Sequence, residues 1–204
     1  MNPSRRAEGI APFHVMDILA RARALEAQGR DIIHLEIGEP DFSTPEPVVR
    51  AAMQAIRSGE VHYTPALGLP ELRQAIAGFY RARYGVEIPA SRIAVTPGAS
   101  GALMLAMGAA LDAGDEILMA DPGYPCNRHF AAFLSVVPVR VPVGPESAFQ
   151  LTPQLVEQLW TEKTKAVLLA SPSNPTGTLA RDEDIREIAH FCTKRNAVLM
   201  VDEI

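Results

Sequence analysis

Between Arg92 and Asp202, short apolar runs alternate with segments of helical pattern. Apolar runs without polar alternation are typical of strands that are buried on both faces. Helical segments between successive strands favour parallel pairing, because the chain must return to the starting end of the sheet. This alternation predicts an α/β fold whose mostly parallel sheet is sandwiched by helices. The predicted strands are RIAVT (92–96), EILMA (116–120), VVPVRV (136–141), KAVLLA (165–170) and AVLMVD (197–202).

The remaining segments predict one earlier strand and a series of helices. IIHLEI (32–37) is predicted as a short strand. ALMLAMGAAL (102–111) is apolar on every side, which predicts a helix that is buried on most sides. A second helix is predicted to begin at Pro45 with Thr44 as its N-cap. Periodic apolar residues predict helices over residues 14–28, 45–58, 71–84, 127–134, 152–162 and 182–195.

Charge and composition restrict the classes of partner. The formal net charge is −5, and no basic stripe occurs, so we expect neither nucleic acid nor an anionic membrane as a partner. No apolar run reaches membrane-spanning length, and the first residues lack the apolar core of a signal peptide. Cys126 and Cys192 have neither a disulfide pattern nor metal-ligand spacing, which indicates reduced thiols. These features predict a soluble, cytoplasmic protein.

Polar and aromatic side chains follow the predicted strands, where parallel α/β sheets bind their ligands. PGASG (97–101) suits an anion, since small residues expose backbone N–H groups at a helix start. Tyr124 in DPGYP offers a flat ring, Asn174 in SPSNPTGT an amide, and Asp202 a carboxylate. Each feature alone has a structural explanation: a tight turn, an apolar plug, a rigid loop or a helix cap. Together they describe a site for a planar, phosphorylated heteroaromatic ligand.

Five segments, in one order, resemble the class I and II aminotransferases that use pyridoxal phosphate. The resemblance extends from Ile10 to the end of the sequence. It implies a fold like that of the pyridoxal-phosphate transferases. An N-terminal arm and small-domain segment would occupy residues 1–45, and a large cofactor-binding domain, incomplete on its C-terminal side, residues 46–204. The segments are GEPDFSTP (38–45), YTPALGLPELR (63–73), TPGASGAL (96–103), DPGYP (121–125) and SPSNPTGT (171–178), the last followed by VDEI (201–204).

The resemblance implies roles for individual residues. Ala99 and Ser100 match the phosphate-binding pair at the helix start. Tyr124 matches the aromatic residue that stacks on the pyridine ring, and Asn174 matches the asparagine that hydrogen-bonds its phenolic oxygen. Asp202 matches the aspartate that pairs with the protonated ring nitrogen. A carboxylate there keeps the nitrogen protonated, so that the cationic ring can accept electrons from the substrate.

Two further roles concern the substrate and a second subunit. Gly38 matches a small-domain glycine near the substrate carboxylate, and Asn174 matches a residue that also faces the substrate. Tyr63 matches a tyrosine that reaches the cofactor phosphate of the neighbouring subunit. The resemblance therefore implies a homodimer with pyridoxal phosphate bound near the subunit boundary.

No lysine of the sequence matches the Schiff-base lysine of the family, so no catalytic residue is assigned. Lys163 and Lys165 lie at the start of a predicted strand, and Lys194 ends a helix that leads into the next strand. All three therefore lie near the amino ends of strands, at the edge opposite the predicted site. In the family this lysine falls a few dozen residues after VDEI. We therefore expect the sequence to be the N-terminal portion of a longer enzyme and to be inactive alone.

The activity that the resemblance implies is transfer of an amino group between an amino acid and a 2-oxo acid. A carbon–sulfur β-lyase on the same fold would make the same ring contacts, so that alternative stays open. A non-catalytic sensor that binds pyridoxal phosphate is a third possibility, although few residues precede IIHLEI (32–37) to hold a DNA-binding element. The sequence does not indicate which amino acid or oxo acid reacts.

Overall fold

The structure is a computed structural model that describes residues 2, 4–59 and 61–204. The chain forms two compact units. One comprises Pro97–Ile204 together with the N-terminal residues up to Pro12, where helix α1 spans Arg5–Glu8. The other comprises Phe13–Thr96. Among the described residues, no helix combines the length and the apolar character needed to cross a membrane.

The unit of residues 13–96 is helical, and its helices confirm those predicted from the periodicity. Helices α3 (Glu46–Ser58) and α4 (Pro70–Tyr84) each end at a glycine with positive φ, Gly59 (74°) and Gly85 (67°), as is favourable at a helix C-terminus. The prediction of Thr44 as an N-cap is wrong, because Pro45 occupies that position and no side chain caps the helix. The helices are α2 (His14–Glu26), α3 (Glu46–Ser58) and α4 (Pro70–Tyr84).

The unit of residues 97–204 contains a four-stranded sheet in which each strand runs parallel to its neighbours. Its strands are β1 (Glu116–Asp121), β2 (Val137–Pro142), β3 (Thr164–Ala170) and β4 (Val198–Asp202). Their order is β2–β1–β3–β4. The carboxyl ends of β1, β3 and β4 are therefore adjacent at one edge, and Ala170 is in register with Asp202 there.

Helices cover both faces of this sheet, as the sequence predicts. Successive side chains of a strand point to opposite faces. Ile117 accordingly packs in a cluster with α5 (Gly98–Ala110) and α6 (Pro125–Phe133). Leu118 packs in a second cluster with α7 (Pro153–Gln158) and α8 (Asp182–Lys194). Thr152 is the N-cap of α7, and its hydroxyl accepts the N–H of Leu155. The helices are α5 (Gly98–Ala110), α6 (Pro125–Phe133), α7 (Pro153–Gln158) and α8 (Asp182–Lys194).

Two predicted strands, residues 32–37 and 92–96, are not strands in the structure. A strand requires a hydrogen-bonded partner, and neither segment pairs with a strand within the described residues. Residues 93–96 are irregular, and Val95 donates its N–H to the carbonyl of Leu67 over 3.0 Å. The apolar side chains of Ile33 and Leu35 are 84% and 88% exposed. Residues 32–37 therefore have a composition that favours a strand, but their apolar side chains are not buried in a sheet.

Helix α5 also departs from the prediction. It begins at Gly98 rather than at residue 102, so the predicted turn PGASG forms its first turn. Only Leu103 and Met107 are buried, whereas Leu105 is 64% exposed. The buried pair faces the sheet cluster, and the opposite side of the helix is not covered by described residues. An apolar composition on every side therefore did not produce burial on every side.

Candidate functional site

A cavity of about 210 Å³ lies at the carboxyl edge of the sheet. Its wall combines the first turn of α5 with residues that follow β1, β3 and β4. Five of the residues predicted to bind a cofactor share this wall, although they are far apart in sequence. The lining residues are Ala99, Ser100, Leu103, Tyr124, Asn127, Ala170, Pro172, Asn174, Asp202 and Ile204.

The strand end that carries Asp202 is tied to the loop that follows β3. The backbone N–H of Ser171 donates to the backbone carbonyl of Asp202 over 2.9 Å. The Asp202 side chain is half-buried, and its Oδ1 accepts the N–H of Ile204 over 3.2 Å. A carboxylate has room for several donors, so it can also accept a cationic N–H from a ligand.

The loop of residues 171–178 is held by its own backbone. The N–H of Ser173 donates to the carbonyl of Thr178 over 2.9 Å, and the N–H of Gly177 donates to the carbonyl of Ser173 over 2.7 Å. Gly177 has a φ of 68°, which glycine adopts without strain. Asn174 is exposed, and its side chain makes no hydrogen bond to any residue that the structure describes. Its amide is therefore available to a ligand.

The aromatic ring in the wall belongs to Tyr124, which is the N-cap of α6. Gly123 precedes it at a close approach of the backbone, because a Cβ there would lie 2.5 Å from the carbonyl oxygen of Ala120. The pKa of the Tyr124 phenol is raised, chiefly by a side-chain hydrogen bond with Cys126 and then by burial. The phenol is therefore neutral near pH 7, and its hydrogen bond helps to orient the ring.

The start of α5 supplies the backbone donors of the wall. Pro97 is the N-cap, and Ala99 and Ser100 are the second and third residues of the helix. The first N–H groups of a helix have no acceptor within the helix, and the helix dipole places partial positive charge there. This end of the cavity is therefore suited to an anion such as phosphate.

Asn127 also lines the cavity, although no sequence motif points to it. Its side chain is only 7% exposed, and its Oδ1 has no hydrogen-bond partner among the described residues. Buried polar atoms in proteins nearly always have a partner, so an orphaned one in a cavity wall indicates a site for a ligand or water. The available signal was an asparagine on the buried side of α6, three residues after Tyr124.

Gly38 and Tyr63 lie outside this wall. Both belong to the unit of residues 13–96, in segments without regular secondary structure. Tyr63 is fully exposed. The roles suggested for these two residues therefore stay predictions.

The lysines also lie away from the cavity. Lys163 directly precedes β3, Lys165 is its second residue, and Lys194 is the last residue of α8. The Nζ of Lys165 donates to the carbonyl of Glu162 over 3.1 Å. Both ends of this contact are at the amino edge of the sheet, and no described residue of the cavity wall is a lysine.

These elements describe one kind of ligand. The backbone donors at the start of α5 suit an anionic group, and the flat ring of Tyr124 suits the face of another ring. The Asn174 amide suits an oxygen acceptor, and the Asp202 carboxylate suits a cationic N–H. No group of three or more metal-ligating side chains occurs within residues 2, 4–59 and 61–204. The cavity is therefore suited to a planar ring that carries an anionic substituent.

Comparison with known proteins shows which family the chain resembles. The sequence model of the family described as aminotransferase class I and II matches residues 30–204. The chain is 39% identical to a valine–pyruvate aminotransferase of Mycobacterium tuberculosis, covering 96% of the chain and 50% of that protein. It is also 39% identical to a (5-formylfuran-3-yl)methyl phosphate transaminase of Methanocaldococcus jannaschii, covering 98% of the chain and 51% of that protein.

A solved structure gives the same result for the fold. The aspartate aminotransferase of Thermus thermophilus, determined with maleate, superposes with a TM-score of 0.93 at 35% identity. The match covers 100% of the chain and 53% of that structure. The chain thus spans about half the length of the relatives it matches. Members of this family use pyridoxal phosphate. By its sequence match and its fold, the chain belongs to the class I and II aminotransferases.

Proposed function

We propose that the chain forms the cofactor-binding part of a pyridoxal-phosphate-dependent aminotransferase, which moves an amino group between an amino acid and a 2-oxo acid. One observation carries the proposal: Ala99, Ser100, Tyr124, Asn174 and Asp202 line a single cavity. The family resemblance suggests a cofactor-binding role for each of them. Membership of the family supports the reaction class.

The residues present fit this cofactor. The first turn of α5 would hold the phosphate, the Tyr124 ring would stack on the pyridine ring, and Asn174 would donate to the phenolic oxygen. Asp202 would accept the N–H of the ring nitrogen. The orphaned Oδ1 of Asn127 supports a polar ligand in the same cavity. When bound, pyridoxal phosphate supplies an electron sink for the reacting carbon of the substrate.

The residues that would contact the cofactor are already held in place by the protein. The carboxylate of Asp202 would keep the ring nitrogen protonated, because removing the proton would leave the anion without its partner. The bonds of Ser173 and Gly177 would keep the Asn174 loop in place. The substrates named for the relatives differ, so they support the reaction class and do not single out an amino acid.

We further propose that none of the three lysines of this sequence binds the cofactor covalently. Lys163, Lys165 and Lys194 lie at the amino edge of the sheet, whereas the cavity lies at the carboxyl edge. The 204-residue chain should therefore bind pyridoxal phosphate without transaminating. Incubation with the cofactor, reduction with borohydride and mass spectrometry should find no stoichiometric adduct. A single modified lysine would contradict this proposal.

The domain division and the oligomeric state are also proposals. We propose that residues 1–45 form an arm and small-domain segment and that residues 46–204 belong to the large domain. The two compact units divide the chain at other points, namely after Pro12 and after Thr96. We propose a homodimer because Tyr63, fully exposed here, matches a residue that reaches a second subunit. Sedimentation of the protein tests the dimer.

Cofactor binding tests the main proposal. Equilibrium dialysis of the 204-residue chain against pyridoxal phosphate should give saturable binding at one site. Asp202→Asn and Asn174→Ala should each weaken it about tenfold, because each removes one charged or polar partner of the ring. Glu157→Gln, which alters an exposed carboxylate on α7, is the matched control and should bind normally. Equal affinity of all four proteins, or no saturable binding by the unaltered chain, would overturn the proposal.

A further inference from the structure

Gln150 is a buried polar residue with no role in the cavity of about 210 Å³. It lies between a 3-10 turn at Pro145–Ser147 and α7, and it is only 4% exposed. It lines a smaller cavity of about 40 Å³, together with Asn174, Tyr124 and Asn127. A glutamine that is buried to this extent must have its amide hydrogens satisfied. The acceptors of these amide hydrogens therefore show which backbone segments Gln150 connects.

The amide nitrogen of Gln150 donates to two carbonyls that flank the Asn174 loop, and also to the hydroxyl of Thr178 over 3.4 Å. Nε2 donates to the carbonyl of Ala170, the last residue of β3, over 3.2 Å. It also donates to the carbonyl of Thr178, at the far end of the loop, over 2.8 Å. A carboxamide nitrogen carries two hydrogens, so one group can satisfy both carbonyls. The Gln150 side chain thus links the residue before the loop, Ala170, to the last residue of the loop, Thr178.

The Thr178 carbonyl connects this contact to the interior of the loop. It accepts the N–H of Ser173 over 2.9 Å in addition to the amide of Gln150. Ser173 directly precedes Asn174. A change at Gln150 therefore reaches the backbone next to Asn174 through one shared carbonyl, without contact between Gln150 and a ligand.

We propose that Gln150 is a positioning residue that holds Asn174 in the orientation needed to bind the cofactor. This inference rests on the proposed function. The loop hydrogen bonds of Ser173 and Gly177 fix its internal shape, and the Gln150 amide fixes that shape relative to β3. Small displacements of a binding group cost affinity, because hydrogen bonds depend steeply on distance and angle.

The chemistry of the contact restricts which side chains can replace Gln150. Methionine has similar length but no donor, so both carbonyls lose the hydrogen bond that the Gln150 amide gives them. An ionised glutamate brings a negative charge against two carbonyl oxygens. A protonated glutamate can donate one hydrogen bond, so it restores part of the contact. Gln150→Glu should therefore change its behaviour with pH.

A double-mutant cycle in the 204-residue chain tests whether Gln150 acts through Asn174. Gln150→Met should weaken binding of pyridoxal phosphate about tenfold in the unaltered background, as expected for a lost polar contact. In the Asn174→Ala background it should weaken binding less than about twofold, because the group that it positions is gone. Gln154→Met, which alters an exposed glutamine on α7, is the matched control and should not change the affinity.

The glutamate variant supplies a second readout that a purely structural role would not give. Relative to the unaltered chain at the same pH, Gln150→Glu should bind more weakly at about pH 7.5 and recover at about pH 5.5, as the carboxyl becomes protonated. The pH dependence of Gln150→Glu binding also tests the positioning role if Gln150→Met does not fold.

The outcomes separate this inference from the proposed function. Absence of binding by the unaltered chain would overturn both. If Asn174→Ala weakens binding while Gln150→Met does not, the proposed function stands and the positioning role is wrong. Losses that add fully in the double mutant, or a Gln150→Glu affinity ratio that is independent of pH, would also overturn the positioning role.

Discussion

The backbone N–H of Ser171 donates to the backbone carbonyl of Asp202 over 2.9 Å. This bond continues the β3–β4 ladder one residue beyond the register pair Ala170 and Asp202. It joins the first residue of the Asn174 loop to the residue predicted to hold the cofactor nitrogen. The loop that carries Asn174 therefore starts from a backbone that is bonded directly to the strand end that carries Asp202.

Replacing Asn127 should raise the stability of the chain and lower its affinity for pyridoxal phosphate. Asn127→Leu removes a buried Oδ1 that has no partner within the described chain, so the free energy of unfolding should rise by about 1 kcal/mol. The affinity for pyridoxal phosphate should fall, because a polar group of the cavity wall is lost. Chemical denaturation and equilibrium dialysis measure the two effects. Gln158→Leu, at an exposed position, should change neither by more than about 0.5 kcal/mol. A less stable Asn127→Leu with unchanged affinity would contradict this prediction.

Gly123 should be intolerant of a side chain. Gly123→Ala would place a Cβ 2.5 Å from the carbonyl oxygen of Ala120, so the turn must move and carry Tyr124 with it. We expect a loss of roughly 1–3 kcal/mol in the free energy of unfolding, together with weaker cofactor binding.

Gly108 provides the control for this substitution. A Cβ at Gly108 would lie 3.8 Å from the Leu134 side chain, which is an ordinary contact. Gly108→Ala, in the last turn of α5, should therefore stabilise the chain by up to about 1 kcal/mol. Equal effects of the two alanine substitutions on thermal unfolding would show that the close approach at Gly123 is not restrictive.

The two cysteines should differ in reactivity. Burial raises the pKa of the Cys192 thiol to about 11, and the side chain is 1% exposed. At about pH 8, roughly one thousandth of this thiol is ionised, and reagent cannot reach it without unfolding. Cys126 is half-buried beside Tyr124. A disulfide reagent should therefore label one thiol in the native chain and two in denaturant.

Substitution identifies which cysteine reacts. Cys126→Ser should abolish the native labelling, whereas Cys192→Ala should leave it intact. Labelling of Cys192 before unfolding would contradict the prediction and would mean that α8 opens readily.

A histidine between two carboxylates should make the unit of residues 13–96 sensitive to pH. His34 Nδ1 lies 2.6 Å from Glu36 Oε1, and its Nε2 lies 2.9 Å from Glu26 Oε1. The hydrogen bond with Glu36, and then that with Glu26, raises the pKa of His34 above 6.5. The same bond with His34 lowers the pKa of Glu36 below 4.5.

The directions of these two pKa shifts determine how stability depends on pH. Stabilisation through His34 is complete below pH 6.5 and is lost as pH rises through its raised folded pKa. Stabilisation through Glu36 is complete above pH 4.5 and is lost as pH falls through its lowered folded pKa. The contribution of the pair should therefore be largest between these pH values.

Comparison with His34→Gln measures the contribution of the pair. The difference in melting temperature between the unaltered chain and His34→Gln should shrink above the folded pKa of His34, and added salt should reduce it. His62→Gln changes an exposed histidine and is the control. A difference that does not depend on pH would contradict the prediction.

Sequence patterns predicted most of the secondary structure and half of the residues that line the cavity. The alternation of apolar runs and helices predicted the parallel sheet, and the motifs predicted Tyr124, Asn174 and Asp202. These succeeded because burial on both faces and strand-end loops leave local signals in composition. The predicted strands at 32–37 and 92–96 failed because strand formation depends on a partner, which local composition does not specify.

Only the tertiary structure revealed Asn127 and Gln150. In the sequence, each is one amide in an unremarkable segment, with no motif around it. Their significance depends on burial and on hydrogen bonds between residues distant in the chain: Oδ1 of Asn127 is enclosed without a partner, and Gln150 bonds carbonyls 20 and 28 residues away. The sequence by itself thus determined the α/β layers and the kinds of groups at the strand ends. Folding decided which amides face the cavity and which hold its loop, since only packing determines which polar atoms lose access to water.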